Sequence, residues 1–304
     1  MSMDPGLVVE AAEVTDVPLA SANSRARLVW LRLRAMKRFW IGLTVLVLMV
    51  LWAFVGPAFS QWSITHIDVY NLDMGPTSRH WFGTNELGQD LYAQVMHGLQ
   101  KSLVIGLVAG ILCTALSAVI GAVTGYIGGI TDRVVTWFID LFLVLPSFFL
   151  LVICYPVFHG SWIILTFFLA LTGWMVMAQT VRMQTRALRE REFVKAARYM
   201  GFGTWQVVRR HVIPNVISLL IIDASLNVGA MILSETALSF FGFGVQAPDV
   251  SLGTLLDGGW TSATTRPWLF VFPAGTLILL LLAISLVGDA LRDAIDPTSG
   301  VNRA

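Results

Sequence analysis

Six apolar runs punctuate this chain, at 39–58, 103–125, 134–157, 162–181, 216–233 and 268–287. Each approaches the roughly 20 residues that a helix needs to cross a hydrocarbon core, so the pattern predicts an all-α integral membrane protein with six transmembrane helices. The first run is too long and too far from the N-terminus for a cleaved signal peptide, and it reads as an uncleaved start-transfer helix over 39–60. Ahead of it, 1–24 is small, polar and acidic, with Asp4, Glu10, Glu13 and Asp16, which predicts a disordered cytosolic tail. Segment 25–38 mixes Arg with Leu28, Trp30, Leu31 and Leu33; it fits a basic helix lying in the membrane interface, or simple juxtamembrane charge. The other divisions are an extracytoplasmic loop at 61–100, a helical core at 101–290 and a cytosolic C-terminal tail at 291–304.

Composition agrees: 56% of residues are hydrophobic, 13% are charged, and mean hydropathy is +0.73. That is about half the charged fraction usual in soluble domains. The net charge of +1 conceals a polarity. With the N-terminus inside, 17 of the 20 Lys and Arg fall in cytosolic segments, leaving only Arg79, Lys101 and Arg266 outside. The positive-inside rule then puts both termini in the cytosol of a multi-pass protein of the plasma (inner) membrane. Topology control explains the Arg-rich segments, so nothing points to nucleic acid.

Within the runs, Gly106 with Gly110 and Gly121 with Gly125 have the spacing that lets helices approach closely. Pro146 should bend the third span. Ionisable groups at membrane depth are costly unless paired or wetted, which singles out Asp140, Asp223 and Glu235. Asp223, Asn227, Ala230 and Ser234 share one helical face. Such a stripe can line a polar passage or hydrogen-bond between helices, and the residues leave both readings open. No Lys follows a Gly, so no phosphate-binding P-loop is present. The five His show no paired metal spacing, and a lone His80 with Glu86 reads as an exposed polar loop. Cys113 and Cys154 lie in apolar runs as free thiols. No catalytic arrangement is legible, and neither a metal nor a cofactor is expected on this chain.

Segment 187–215 is the most informative. Its sequence from Arg189 is REREFVKAARYMGFGTWQVVRRHVIPN. Residues 192–200 favour a helix, Gly201 is a natural stop, and a second helix should end before Pro214. Adjacent Ala196 and Ala197 leave a shallow surface flanked by Glu192, Lys195 and Arg198, suited to docking in another protein's groove. The spacing Lys195-Ala196-Ala197, three residues, Gly201, nine residues, His211, one residue, Ile213-Pro214 resembles the E-A-A-x3-G-x9-I-x-L-P loop of importer-type ABC permeases. Arg210, His211 and Pro214 fall in its second half, and Lys195 replaces the usual Glu.

Three further stretches resemble the dipeptide, oligopeptide and nickel branch of those permeases, in its C-type subunit. The run from His80 through Gly83, Thr84, Asn85, Gly88 and Asp90 is similar to HPxGTDxxGRD. Glu235-Thr236-Ala237-Leu238-Ser239-Phe240-Phe241-Gly242-Phe243-Gly244, with Pro248, Asp249 and Gly253 beyond, resembles ETxLSFLGFG and its sequel. Gly288-Asp289-Ala290-Leu291-Arg292-Asp293-Ala294-Ile295-Asp296-Pro297 is similar to GDxLRDxLDP. The wording around Arg189 is nearest to actinobacterial oligopeptide permeases. The resemblance implies a type I ABC importer permease fold and a non-catalytic subunit that forms half of a passage for oligopeptides or dipeptides. It implies a homologous second permease, two ATPase subunits or domains that bind ATP and Mg, and an extracytoplasmic substrate-binding protein. Asp140, Asp223, Asn227, Ser234 and Glu235 become candidates for the passage. Gly83, Thr84, Asn85, Gly88, Asp90, Pro248, Asp249 and Gly253 become candidates for gating or for contact with the binding protein. Nickel chelates or other small solutes are alternative cargo, and a proton-coupled carrier or a membrane scaffold are the rivals from other classes.

Overall fold

A computed structural model describes residues 22–158 and 161–295. The expected tail up to residue 21 and the Asp296-Pro297 end of the last motif lie outside them. α1 (Ala22–Ala35) runs through Met36 into α2 (Lys37–Phe59). After an irregular stretch come α3 (Leu91–Ile127), α4 (Gly129–Val144), α5 (Ser147–Phe158), α6 (Trp162–Gly173) and α7 (Met175–Arg189). α8 (Glu192–Tyr199) and α9 (Thr204–Val207) lead through a π-turn at Val208–Val212 into α10 (Ile213–Phe240), and α11 (Leu252–Trp260) and α12 (Trp268–Ile295) follow. Among the described residues the only β pairing is an isolated bridge between Thr84 and Asp90.

Four continuous helices are long and apolar enough to cross a membrane: α2, α3, α9 through α10, and α12. Counting the bent pairs α4–α5 and α6–α7 as one span each gives six. The first bend is 86°. Pro146 has no amide hydrogen and pushes its predecessor out of the helical region, and Leu145 is extended at φ −82°, ψ 124°. The second bend, 42° at Trp174, has no Pro at all. There Gly173 leaves a gap into which the Met231 side chain of α10 is seated, 2.6 Å from where a Cβ would stand. The fourth span also runs on to Arg189, beyond the hydropathy limit at 181.

α3 is the axis of the bundle. Asp90 caps it by accepting the Ala93 amide at 2.8 Å, filling a donor that would otherwise be orphaned. Its 37 residues extend about 55 Å at 1.5 Å per residue, well beyond a hydrocarbon core of roughly 30 Å. The two small-residue pairs serve different neighbours. Gly106 and Gly110 face Val228 of α10, where a Cβ on Gly110 would sit 3.0 Å from the Val228 nitrogen. Gly121 and Gly125 face α7, where a Cβ on Gly121 would sit 2.8 Å from Val181 Cβ. One core cluster joins α3 to α6, α7 and α10, and a second joins α2, α3, α11 and α12. α1 packs Leu33 against Ala290 and Ala294 of α12, with Arg32 donating to the Ala294 carbonyl at 3.1 Å and Arg38 paired to Asp293.

The segment before Pro214 departs from its expected form. The second helix does not stop there; it passes through the π-turn directly into α10, with Pro214 in the first turn. A helix-interior Pro clashes with the carbonyl four residues back and lacks a donor. The wider π-turn accommodates both, so the chain continues instead of breaking.

Candidate coupling and translocation site

α8 shows one face inward and one outward. Val194 and Ala197 are fully buried against Val207, Tyr126 and Phe202. Ala196 is exposed, together with Glu192, Phe193, Lys195, Arg198, Tyr199 and Met200. The paired alanines therefore do not form one docking surface: Ala197 fastens the helix to the bundle, and only Ala196 faces out. A period of 3.6 residues sets adjacent positions about 100° apart, so one of two neighbouring residues can be buried and the other exposed. Gly201 ends α8 at φ +83°, with open space around its α-carbon. Lys195 pairs with Glu190 at 3.1 Å, and that contact holds the Glu190 carboxyl below its ordinary value. His211 stacks near Phe202 at 6.3 Å between ring centres, and its carbonyl accepts the Asn215 side-chain amide at 2.6 Å. Arg210 is exposed one position earlier.

At membrane depth the polar stripe is divided. Thr114 of α3 donates to Asp223 at 2.6 Å, and Asn227 donates to the same carboxylate oxygen at 2.9 Å. Ser234 bonds back to the Ala230 carbonyl at 2.9 Å. Glu235 is wholly buried; it accepts from Ser102 at 3.0 Å and Ser239 at 2.7 Å. The Ser102 hydroxyl in turn takes the Leu252 amide at 3.3 Å, joining α3, α10 and the start of α11. Asp223, Asn227 and Glu235 thus fasten helices to one another. Asp140 differs: it is exposed on α4, and Gln179 of α7 donates to it at 2.8 Å.

The segment before α3 is a tight clasp. His80 is 2% exposed rather than lying on an open loop. Its Nδ1 lies 2.8 Å from Asp90, its Nε2 3.5 Å from Asp68, and Trp62 stacks on the ring at 4.9 Å. Thr84 donates to the Asn71 carbonyl at 2.6 Å and accepts the Met74 amide at 2.9 Å. Asn85 accepts the Leu87 and Gln89 amides, closing a turn with Gly83 and Gly88 at positive φ. Asp249, next to Pro248, pairs with Lys101 at 2.8 Å. Gly253 lets α11 lie on the α10 backbone, where a Cβ would come 2.6 Å from the Thr236 carbonyl. Asn85, Gln94, Asp249 and Gly258 are among the residues lining a cavity of about 500 Å³ between clasp and α11. Among the described residues no three His, Cys, Asp or Glu side chains converge as a metal site.

Residues 117–300 match the family described as the binding-protein-dependent transport system inner membrane component, which is more than half of the chain. The chain belongs to that family. Residues 24–76 of this permease match the N-terminal TM domain of oligopeptide transport permease C. It is 48% identical over 260 residues to the oligopeptide transport system permease protein OppC of Mycobacterium bovis, covering 85% of this chain and 89% of that one. The OppC proteins of Escherichia coli and Bacillus subtilis are 40% and 33% identical, with coverage of 84% and 85%, and of 88% and 88%. In fold, the permease resembles a chain of the inward-facing MetNI methionine ABC transporter, with TM-score 0.50 and 19% identity, over 68% of this chain and 98% of that one. The type I ABC importer permease fold expected from the sequence is the fold observed.

Sequence reasoning missed one joint in the permease. Asp132, 2% exposed at the start of α4, is held by both Arg182, whose Nη2 donates at 2.9 Å, and Arg186 of α7. Two Arg spaced four apart on one helix form a fork for a carboxylate. That spacing was visible in the chain, but its target fifty residues earlier was not.

Proposed function

We propose that this permease subunit forms half of the passage of an ATP-driven oligopeptide importer in the plasma membrane, with both termini cytosolic. A homologous second permease completes the passage, ATPases dock on α8, and an extracytoplasmic binding protein delivers peptide to the face that carries the clasp. The observation that carries this reading is the outward face of α8. It is an exposed apolar and charged surface, with Tyr199 89% and Met200 67% exposed, on a helix whose other face is anchored in the bundle. A monomer leaves such a surface uncovered only at a cost in apolar exposure, and an ATPase groove would cover it. The identity to OppC proteins supports oligopeptide as cargo.

Motion of the docked ATPases enters at α8 and leaves by two routes. One runs through Gly201 and the π-turn into α10; the other runs along α7 to the Asp132 joint and so to α4. Asp140 with Gln179 is the strongest passage candidate, because an exposed carboxylate at membrane depth needs a wet or protein-lined surface. ATP hydrolysis belongs to the partners, and this chain contributes binding surfaces and movement.

The test is uptake of a labelled oligopeptide, together with pull-down of the ATPases, in cells carrying Ala196→Glu. Loss of both, with membrane insertion intact, is expected. Normal uptake and normal association would overturn the docking role of α8 and return the carboxylates to a proton-coupled carrier. Intact ATPase association in the unaltered permease, with uptake of a nickel chelate instead of the peptide, would change the cargo alone.

A further inference from the structure

Glu235 is wholly buried in α10, and fastening one helix to another does not account for all that it holds. Each of its carboxylate oxygens accepts from a different serine, Oε2 from Ser102 of α3 and Oε1 from Ser239 one turn along α10. A hydroxyl has one proton to give and two lone pairs to offer. Both serines give that proton to Glu235 and turn a lone pair to a backbone amide: Ser239 accepts from Val245 at 3.2 Å, and Ser102 accepts from Leu252 at 3.3 Å. Those amides lie toward the two ends of segment 241–251, which joins α10 to α11. One carboxylate therefore holds both ends of this segment, each through a serine.

The two ends are held on different helices. The first follows α10: Gly244 packs against Ser239 with no room for a Cβ, and Phe243 donates to the Leu238 carbonyl at 2.8 Å. The second is held on α3: Lys101, next to Ser102, pairs with Asp249 at 2.8 Å, and a Cβ on Gly98 would stand 3.2 Å from the Leu252 nitrogen. Gly253 lies on the α10 backbone, so this far end sits in the seam between α3 and α10. One turn from Ser102 and from Glu235, Gly106 and Ile232 close the same seam. The segment also walls the cavity of about 500 Å³ that faces the clasp, through Val245, Gln246, Asp249 and Val250. We infer that Glu235 is a positioning residue, a latch that keeps segment 241–251 closed over this cavity for as long as α3 and α10 stay together. The helical path is unbroken from the π-turn at Val208–Val212 through α10 to Phe240, so a displacement entering at the coupling end reaches Glu235. The Ser102 contact crosses the seam. When α10 leaves α3 that contact is lost, the Leu252 end is freed, and the Val245 end travels with α10 and uncovers the cavity. The inference extends the route through α10 proposed above and rests on it for what drives the movement.

The experiment is maleimide labelling of Val245→Cys in the purified full chain in detergent, counted above the parent chain with its own Cys113 and Cys154. Val245 is 1% exposed, so slow labelling is expected while the segment is latched. Adding Glu235→Gln, whose amide offers a single acceptor oxygen, or Ser102→Ala should speed labelling about tenfold, the factor that a loss of about 1.4 kcal/mol of hydrogen bonding gives. The two together should be no faster than Glu235→Gln alone, because both cut one latch. Gly106→Ala leaves every latch residue in place but sets a methyl against Ile232, and by parting the seam it should speed labelling as well. Each variant is labelled well below its unfolding midpoint, where a merely structural loss leaves the rate unchanged; should Glu235→Gln fail to fold, Ser102→Ala and Gly106→Ala carry the test. Rates unchanged by Glu235→Gln and Ser102→Ala, or factors that multiply when the two are combined, would overturn the latch. Slow labelling in Gly106→Ala would overturn its dependence on the seam. No ATPase or peptide enters this measurement, so failure of the latch is read from labelling and failure of the transport reading from uptake and ATPase pull-down.

Discussion

The Asp132 joint gives the most quantitative prediction. Asp132→Asn keeps the shape of the side chain but removes the charge that Arg182 and Arg186 share. Arg182 is 15% exposed and Asp132 3%, so their paired hydrogen bonds count nearly in full. A hydrogen bond to a charged group contributes about 1.5–3 kcal/mol net. Arg186 is 52% exposed, and an ion pair with so much solvent around it adds at most about 1 kcal/mol. The amide retains one acceptor for Arg182 but turns an N–H₂ toward a guanidinium, so the expected loss is about 3 kcal/mol. At roughly 2 °C per kcal/mol for a chain of this size, the unfolding midpoint should fall by about 6 °C. The assay is thermal unfolding of the purified full chain followed by tryptophan fluorescence, run as a cycle with Arg182→Gln. The double variant should be less destabilised than the sum of the singles by about 2 kcal/mol. Additive effects, or a shift under 1 °C for Asp132→Asn, would refute the view that this carboxylate holds α4 to α7.

Three further outcomes follow from the geometry. Ala196→Glu should leave the unfolding midpoint unchanged while abolishing ATPase pull-down, whereas Ala197→Glu should cost at least about 2 kcal/mol by forcing a carboxyl into an apolar contact; equal effects on the midpoint would contradict the two-faced helix. Gly201→Ala should cost about 1–2 kcal/mol from left-handed backbone alone, since its Cβ meets nothing, and Gly201→Asn should recover part of coupled uptake because Asn tolerates that conformation; an Asn variant no better than Ala would point to some other role for the glycine. The Asn71 amide and the neighbouring contacts hold the Asp68 carboxyl below its ordinary value, so its contribution is complete above about pH 4 and fades as pH falls through the lowered value. The midpoint difference between wild type and Asp68→Asn should therefore stay constant from pH 8 to about 5 and shrink below about 4; a difference that grew on acidification would reverse the assignment.

Much of the architecture could be read from the chain because lipid imposes a simple rule: a helix that crosses must be apolar over a fixed length. That rule located the four continuous spans and the two bent pairs, and Pro146 announced its own bend. The bend at Trp174 carried no such signal, since it depends on Met231, more than fifty residues later, filling the space beside Gly173. The segment that becomes α8 was singled out by spacing, yet spacing could not say which alanine faced inward; that was decided by the position of Val207 and Tyr126. The stripe on α10 was recognised as polar, but its partner Thr114 lies on another helix, and only the pairing of α3 with α10 showed that Asp223 is already satisfied. His80 looked like part of an exposed loop because its two carboxylates, Asp68 and Asp90, flank it at distances in sequence that suggest no contact. Each of these misses is a pairing fixed by packing between elements, which local pattern does not encode.

The right-angled corner between α4 and α5 has a mechanical consequence. A straight span shifted along its axis only slides past its neighbours. Two rigid segments joined at 86° act as a bell-crank: rotation of α4 about the corner, driven from its Asp132 end, is returned as a sideways sweep of α5. In a crank of this shape the far end of α5 travels at right angles to the far end of α4, and one proline fixes the angle between the two directions.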